Sequence, residues 1–177
     1  MKKITQAELD KISVLHEKWL NGEEGGVRAC LSDMHLSHLD FSNKNFRGAF
    51  FNGAIIYGAL LAGACFRYAE FVKATLDCSD LSEADFTGTD LHRATMYGAD
   101  LTETDFTDTF ISHVNFTSAT FNRTDFTDAI VKNCIFSEPI EDIQAIYLKE
   151  AIACYEYQLE AIERWKKERE EKEESSI

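Results

Sequence analysis

Histidines, cysteines and carboxylates are the side chains here that could carry chemistry, and their spacing narrows what it would be. Cys30, His35 and His38 lie close together in the chain and raise a metal site. A zinc centre needs a tetrahedral donor set with ligating imidazoles backed by carboxylates, and no such set follows them. His16, His92 and His113 are isolated, with no Ser or Cys nucleophile at a recognisable spacing. The Asp-rich segments lack the glycine-rich turn of calcium-binding repeats. No catalytic residue, cofactor or metal ligand is assigned, and an enzyme is not expected. The abundant chemistry is acid: 31 Asp and Glu against 18 Lys and Arg, a net charge of -13. That sign opposes binding to phosphates or to an anionic membrane surface.

What positions the carboxylates is a repeat. Every fifth residue from Leu31 to Phe136 is apolar, 22 positions of which eleven are Phe. Two residues before each lies a small position, alanine in twelve cases. A period of five fits neither a helix nor a simple strand. It fits a chain that turns a corner every five residues, with one large and one small side chain inward and three positions facing solvent. With those side chains filling each side, no internal cavity is expected.

Units such as SDLSE (79–83), ADFTG (84–88), ADLTE (99–103) and TDFTD (104–108) resemble the pentapeptide-repeat family, A(D/N)LXX, over residues 29–138. The resemblance implies an all-β solenoid, a right-handed quadrilateral β-helix with four units per coil and about five and a half coils. At ~4.8 Å per coil the rod would be roughly 26 Å long. Residues twenty apart then stack, and Phe46, Phe66, Phe86, Phe106 and Phe126 form one column. Lys44 is the exception, a cation at a small inward position, where a local distortion around 42–45 or a side chain reaching out to solvent is expected.

Three segments follow. Residues 1–28 read as a capping helix over 5–21 and a linker. Thr5 and Glu8 form a capping box, Ile4 and Leu9 a staple, and Asn21-Gly22 a stop. Its apolar face is read as Leu9, Ile12, Leu15, Trp19 and Leu20. Residues 29–138 are the β-helix. Residues 139–177 read as a helix opening at Pro139 with Glu141 and Asp142, followed by a charged, frayed tail. Leu148, Ile152, Tyr155, Leu159 and Ile162 make a seam with two readings: an end cap covering Phe110, Ile130 and Ile135, or a homodimer contact. The resemblance is to a family in which several members dimerise through such a helix.

On the coil, two adjacent sides hold most of the acid: Asp40, Asp80, Glu83, Asp100 and Glu103 on one, Asp85, Asp105, Asp108, Asp125 and Asp128 on the next. Arg47, Arg67 and Arg123 offset them in part. Asp before the large residue belongs to the repeat pattern, because a short polar side chain bonds local backbone. Glu83, Glu103, Asp108 and Asp128 are not so required, leaving solubility or recognition as their use. The resemblance implies a non-enzymatic protein-binding module, in its sharpest form a DNA mimic directed at DNA gyrase or topoisomerase IV. The alternative is an assembly protein whose C-terminal helix oligomerises while the acid keeps it soluble. Tyr57 and Tyr97, with Asp77 between them, form an outward column that reads as surface packing or a partner anchor. Five cysteines without a CxxC pair read as reduced thiols, and no stretch approaches a membrane span or a signal-peptide core, so a cytoplasmic protein is expected.

Overall fold

A computed structural model of the protein describes residues 1–137, 144–146, 148, 151 and 152. From residue 29 onward the backbone repeats one local plan. The large residue of most units accepts a hydrogen bond from the amide three residues on, as in Ala64 N–H to the Leu61 carbonyl at 3.0 Å. The residue just before that donor has a positive φ: Asn43, Gly63, Glu83, Glu103 and Arg123 all lie there. A tight turn with φ above zero at its third residue closes each corner.

Corners place the residue before each large position against its counterpart twenty residues on. Parallel bridges run Cys65↔Asp85, Asp85↔Asp105 and Asp105↔Asp125, and the same register joins every other side. Around Asp85 the ladder bonds are Phe66 N–H to its carbonyl at 2.7 Å and its own N–H to Ala64 at 2.9 Å. One pairing residue per side is too short to count as a strand over most of the coil. Longer strands form towards its C-terminal end, where Phe110–Ser112 (β3) pairs with Ile130–Lys132 (β5) in the same register.

Large side chains fill the interior. The rings of Phe46, Phe66, Phe86, Phe106 and Phe126 follow one another at 6.3, 5.1, 5.5 and 5.2 Å, all fully buried. Ser or Thr is satisfied inside at four of the five small positions that carry one: Ser79, Thr104, Thr109 and Thr124 each donate a hydroxyl to the carbonyl of a large residue one coil back, at 2.7–2.8 Å, whereas the buried Thr89 hydroxyl has no partner. This is why the small position accepts a hydroxyl as well as alanine, since a buried polar atom without a partner is costly.

The first coil (29–48) is closed by three devices. Lys2–Lys3 (β1) pairs in parallel with Met34–His35 (β2). The Gln6 side-chain amide bonds both backbone groups of Asp40. Helix Gln6–Leu20 (α1), with Thr5 and Glu8 as its capping box, lies over the open end. Its buried face is Leu9 and His16 with Ile12 half-buried, whereas Leu15 and Trp19 are each 40% exposed. The face read from the sequence is therefore rotated, because His16 displaces Leu15 and Trp19 from the interior.

Lys44 sits in a regular corner, its N–H bonded to Phe41 at 3.0 Å and its neighbour bridged as Asn45↔Cys65. The distortion expected there is absent. Its side chain instead reaches past the end of the coil to Asp10 of α1, Nζ to Oδ1 at 3.0 Å.

At the other end the chain does not pass straight into a helix. Asn122–Asp125 (β4) is met by Gln144–Ile146 (β6) in parallel, with a register shift between Asn122 and Thr124. β-pairing thus extends beyond residue 138, where the repeat stops, because β4 would otherwise present a bare edge. Leu148, Ala151 and Ile152 are helical, and the first two are buried against the coil interior. Ile130 and Ile135 are 43% and 59% exposed. Pro139, Glu141, Asp142, Tyr155, Leu159, Ile162 and the charged tail lie outside the described residues.

Candidate protein-binding surface

The acidic surface is built from two positions of the repeat, held in different ways. Asp80, Asp85, Asp100, Asp105 and Asp125 each precede a large residue. Each accepts the backbone N–H two residues on, from Ser82, Thr87, Thr102, Thr107 and Thr127, at 2.8–3.0 Å. In four of them the Ser or Thr hydroxyl bonds the same oxygen at 2.6–2.7 Å. These carboxylates fasten corners and keep a fixed direction; the second oxygen of each is left for other partners.

Glu83, Glu103, Asp108 and Asp128 occupy the other position, the left-handed residue of the turn, with φ of 59°, 57°, 57° and 55°. Gly48, Gly53, Gly58, Gly63, Gly88 and Gly98 share that phase, and glycine adopts such a φ without strain. A glutamate there carries a conformational penalty, while aspartate tolerates the region better. The glycine phase was the signal in the sequence that marks these four acids as strained.

Ion pairing divides the surface. Arg123 meets Glu103 at 3.0 Å and Arg67 meets Asp85 at 3.2 Å. Tyr68 stands between the guanidinium groups of Arg47 and Arg67, at 5.6 and 5.8 Å from its ring centre. On the Phe46 side the arginines, Arg47 and Arg67, thus lie in the early coils. Asp105, Asp108, Asp125 and Asp128, stacked on the Phe46 side of the later coils, have no ion pair among the described residues. The sequence grouping of two acidic sides holds as geometry, but Glu103 and Asp85 are partly neutralised within it.

The remaining candidates separate. Among the described residues no three His, Cys, Asp or Glu side chains converge as a metal site. His35 lies in β2, whereas His38 packs edge-on to Tyr57 at 5.7 Å. His92 and His113 are not isolated: their rings meet at 5.6 Å, and Ser112 Oγ lies 2.8 Å from His113 Nδ1. Burial pushes the Cys134 thiol up to about 11, which keeps it from acting as a thiolate. Tyr57 and Tyr97 are both half-exposed, and Asp77 between them accepts the Tyr97 N–H at 2.9 Å. The described residues contain no helix long and apolar enough to cross a membrane.

Comparison with known proteins agrees with the five-residue plan. Residues 29–67 match the model for pentapeptide repeats (8 copies), and residues 69–139 the model for the pentapeptide repeat region. The chain belongs to the pentapeptide-repeat family. Among solved structures it is similar to a pentapeptide-repeat protein of the Arabidopsis thaliana thylakoid lumen, at 27% identity over 54% of this chain and 67% of that one, with a TM-score of 0.52. It is also similar to Rfr23 of the cyanobacterium Cyanothece 51142, at 16% identity over 75% of this chain and 95% of that one, with a TM-score of 0.53. These pentapeptide-repeat neighbours imply a right-handed quadrilateral β-helix. QnrB1, a plasmid-mediated fluoroquinolone resistance protein, matches at 24% identity over 62% of this chain and 63% of that one. Its TM-score is 0.40. No curated protein matches the sequence.

Proposed function

We propose that this pentapeptide-repeat protein is a non-catalytic binding module whose acidic ridge engages a basic protein surface. In its sharpest form the partner is a DNA-binding protein such as a type II topoisomerase, met by carboxylates standing in for phosphates. The observation that carries the reading is the placing of Glu83, Asp108 and Asp128 at left-handed positions with no ion pair among the described residues. Glycine would fit there more cheaply, so the fold gains nothing from these acids. Stacked like charges also oppose one another along a face. Complementary charge would act mainly on the rate of encounter and on its salt dependence.

Reversing Glu83, Glu103, Asp108 and Asp128 to Lys tests this, with purified gyrase as the probe and supercoiling as the readout. Binding that weakens as salt rises and disappears in the reversed protein supports the ridge. Binding that survives reversal removes it, and absence of gyrase binding by the native chain removes the topoisomerase form. The assembly reading is less favoured, because Leu148 and Ala151 are already taken up against the coil interior, as an end cap requires.

A further inference from the structure

His16 is fully buried beneath α1, its ring lying within 15° of parallel to Trp19 at 5.3 Å and to Phe46 of the first coil at 5.6 Å. Its Nδ1 accepts the N–H of Ala29 at 3.1 Å, so the ring is neutral and carries its proton on Nε2. Nε2 is itself buried, facing the Arg47 backbone carbonyl without a well-formed hydrogen bond. One imidazole therefore joins the helix, the linker and the first coil through a bond that only its neutral form can make. A second proton would turn Nδ1 into a donor facing the Ala29 donor, and would place a desolvated charge near the Arg28 guanidinium.

We propose that His16 is a proton-operated latch: acidification charges the ring, breaks its bond to Ala29 and releases α1 from the open end of the β-helix. Desolvation is the main effect holding the imidazole below its ordinary value. The Arg28 guanidinium adds to it, and the Arg47 backbone carbonyl opposes it. Arg28 is held in place over Phe50 at 3.8 Å and over Trp19 at 5.4 Å, with Nε donating to the Gly48 carbonyl at 2.6 Å.

The sign follows from that depression. Above about pH 6.5 the ring is neutral whether α1 is docked or not, and docking does not depend on this group. Below about pH 6.5 the released form takes up the proton first. The ratio of docked to released then falls by up to about tenfold per pH unit. The carboxylates of the same end, Glu8, Asp10 and Asp40, have ordinary values of 4.5, 3.8 and 3.8 and are all lowered, so their contribution is lost only at more acidic pH. Release would bare the Phe46 ring and the backbone groups of Ala29 and Asp40, an edge that pairs with other strands unless covered.

Hydrogen exchange of the full 177-residue chain between pH 7.5 and 5.0, corrected for the intrinsic rate, tests the latch. Protection of α1 relative to residues 66–86 is expected to fall below about pH 6.5, by up to about tenfold per pH unit. In His16→Asn, whose Oδ1 accepts near the place of Nδ1 without titrating, and in His16→Phe it is expected to stay level. Level protection in the native chain, or an equal fall in both variants, overturns the proposal. If neither variant docks α1 at pH 7.5, the native His16 resonance decides. A midpoint shared with the α1 amides supports the latch, and α1 amides unmoved through the His16 titration overturn it.

Discussion

The side-chain amide of Gln6 makes to Asp40 the two hydrogen bonds that a preceding coil would make: Oε1 accepts the Asp40 N–H at 2.8 Å and Nε2 donates to the Asp40 carbonyl at 2.9 Å. One residue thus closes one side of the coil's edge, and Nε2 also meets Asp10 at 3.0 Å. Replacing Gln6 with Ala should loosen α1 by about 1–3 kcal/mol, at ~0.5–1.5 kcal/mol for each of the two lost bonds to Asp40. Exchange would rise in residues 4–22 and stay unchanged in the later coils. Gln6→Glu should loosen it further, since the donor is lost and a charge is set against Asp10.

Lys44 and Asp10 form a second tie between coil and helix, and the Lys44 ammonium is the main cause holding the Asp10 carboxyl below its ordinary 3.8. A lowered carboxylate contributes above its unfolded value and is lost as pH falls through the folded one. A double-mutant cycle of Asp10→Asn and Lys44→Ala should therefore show coupling at pH 7 that fades with added salt and is gone well below pH 3.8. Coupling indifferent to both would mean the pair is ornamental.

Glycine at the acidic left-handed positions should stabilise the coil. The strain of an L-residue there is about 1–2 kcal/mol, and glycine returns part of it as chain entropy, leaving a gain of roughly 0.5–1 kcal/mol for Glu83→Gly. In a chain of this length that raises the unfolding midpoint by about 1–4 °C. Asp108→Gly should gain less, and Glu103→Gly less again because the contact with Arg123 goes. A lower midpoint for Glu83→Gly would show that the carboxylate serves the fold.

Two glycines of one phase should respond differently to alanine. A Cβ on Gly88 would stand 2.6 Å from the Tyr68 ring, whereas at Gly48 the nearest atom is Arg28 Nη2 at 3.7 Å. Gly48→Ala should cost only the left-handed strain of about 1–2 kcal/mol. Gly88→Ala should cost that and also displace Tyr68 from between Arg47 and Arg67. Thermal unfolding of the two variants and tyrosine fluorescence at position 68 separate the cases.

The coil was legible because its signal is periodic. Phe46, Phe66 and Phe86 are related by arithmetic, and the hydrophobic effect acts alike on each. The Asp residues before the large positions could likewise be assigned to corners from Asp80-Leu81-Ser82 and its kin. What could not be read depends on contacts made once. Leu9, Ile12, Leu15 and Trp19 satisfy a helical spacing, but so does the Leu9–His16 face, and only the docked coil chooses between them. Lys44 was visible as an anomaly, yet its partner lies 34 residues earlier on another element. Likewise β6 shows no repeat of its own; its pairing is specified by the edge that β4 leaves open.

The twenty-residue register also fixes how the molecule would yield to a pull. Lys2–Lys3 holds one end of the stack and Gln144–Ile146 the other, so tension between them runs along the bonds that join successive coils. Bonds loaded along their own direction open one row at a time, as in a zip, and do not resist together as strands loaded in shear do. Each opened coil would let out twenty residues, roughly 66–72 Å of extended chain against the ~5 Å of height it had occupied. Stretched singly, the rod would lengthen in equal increments, with a force trace that counts its coils.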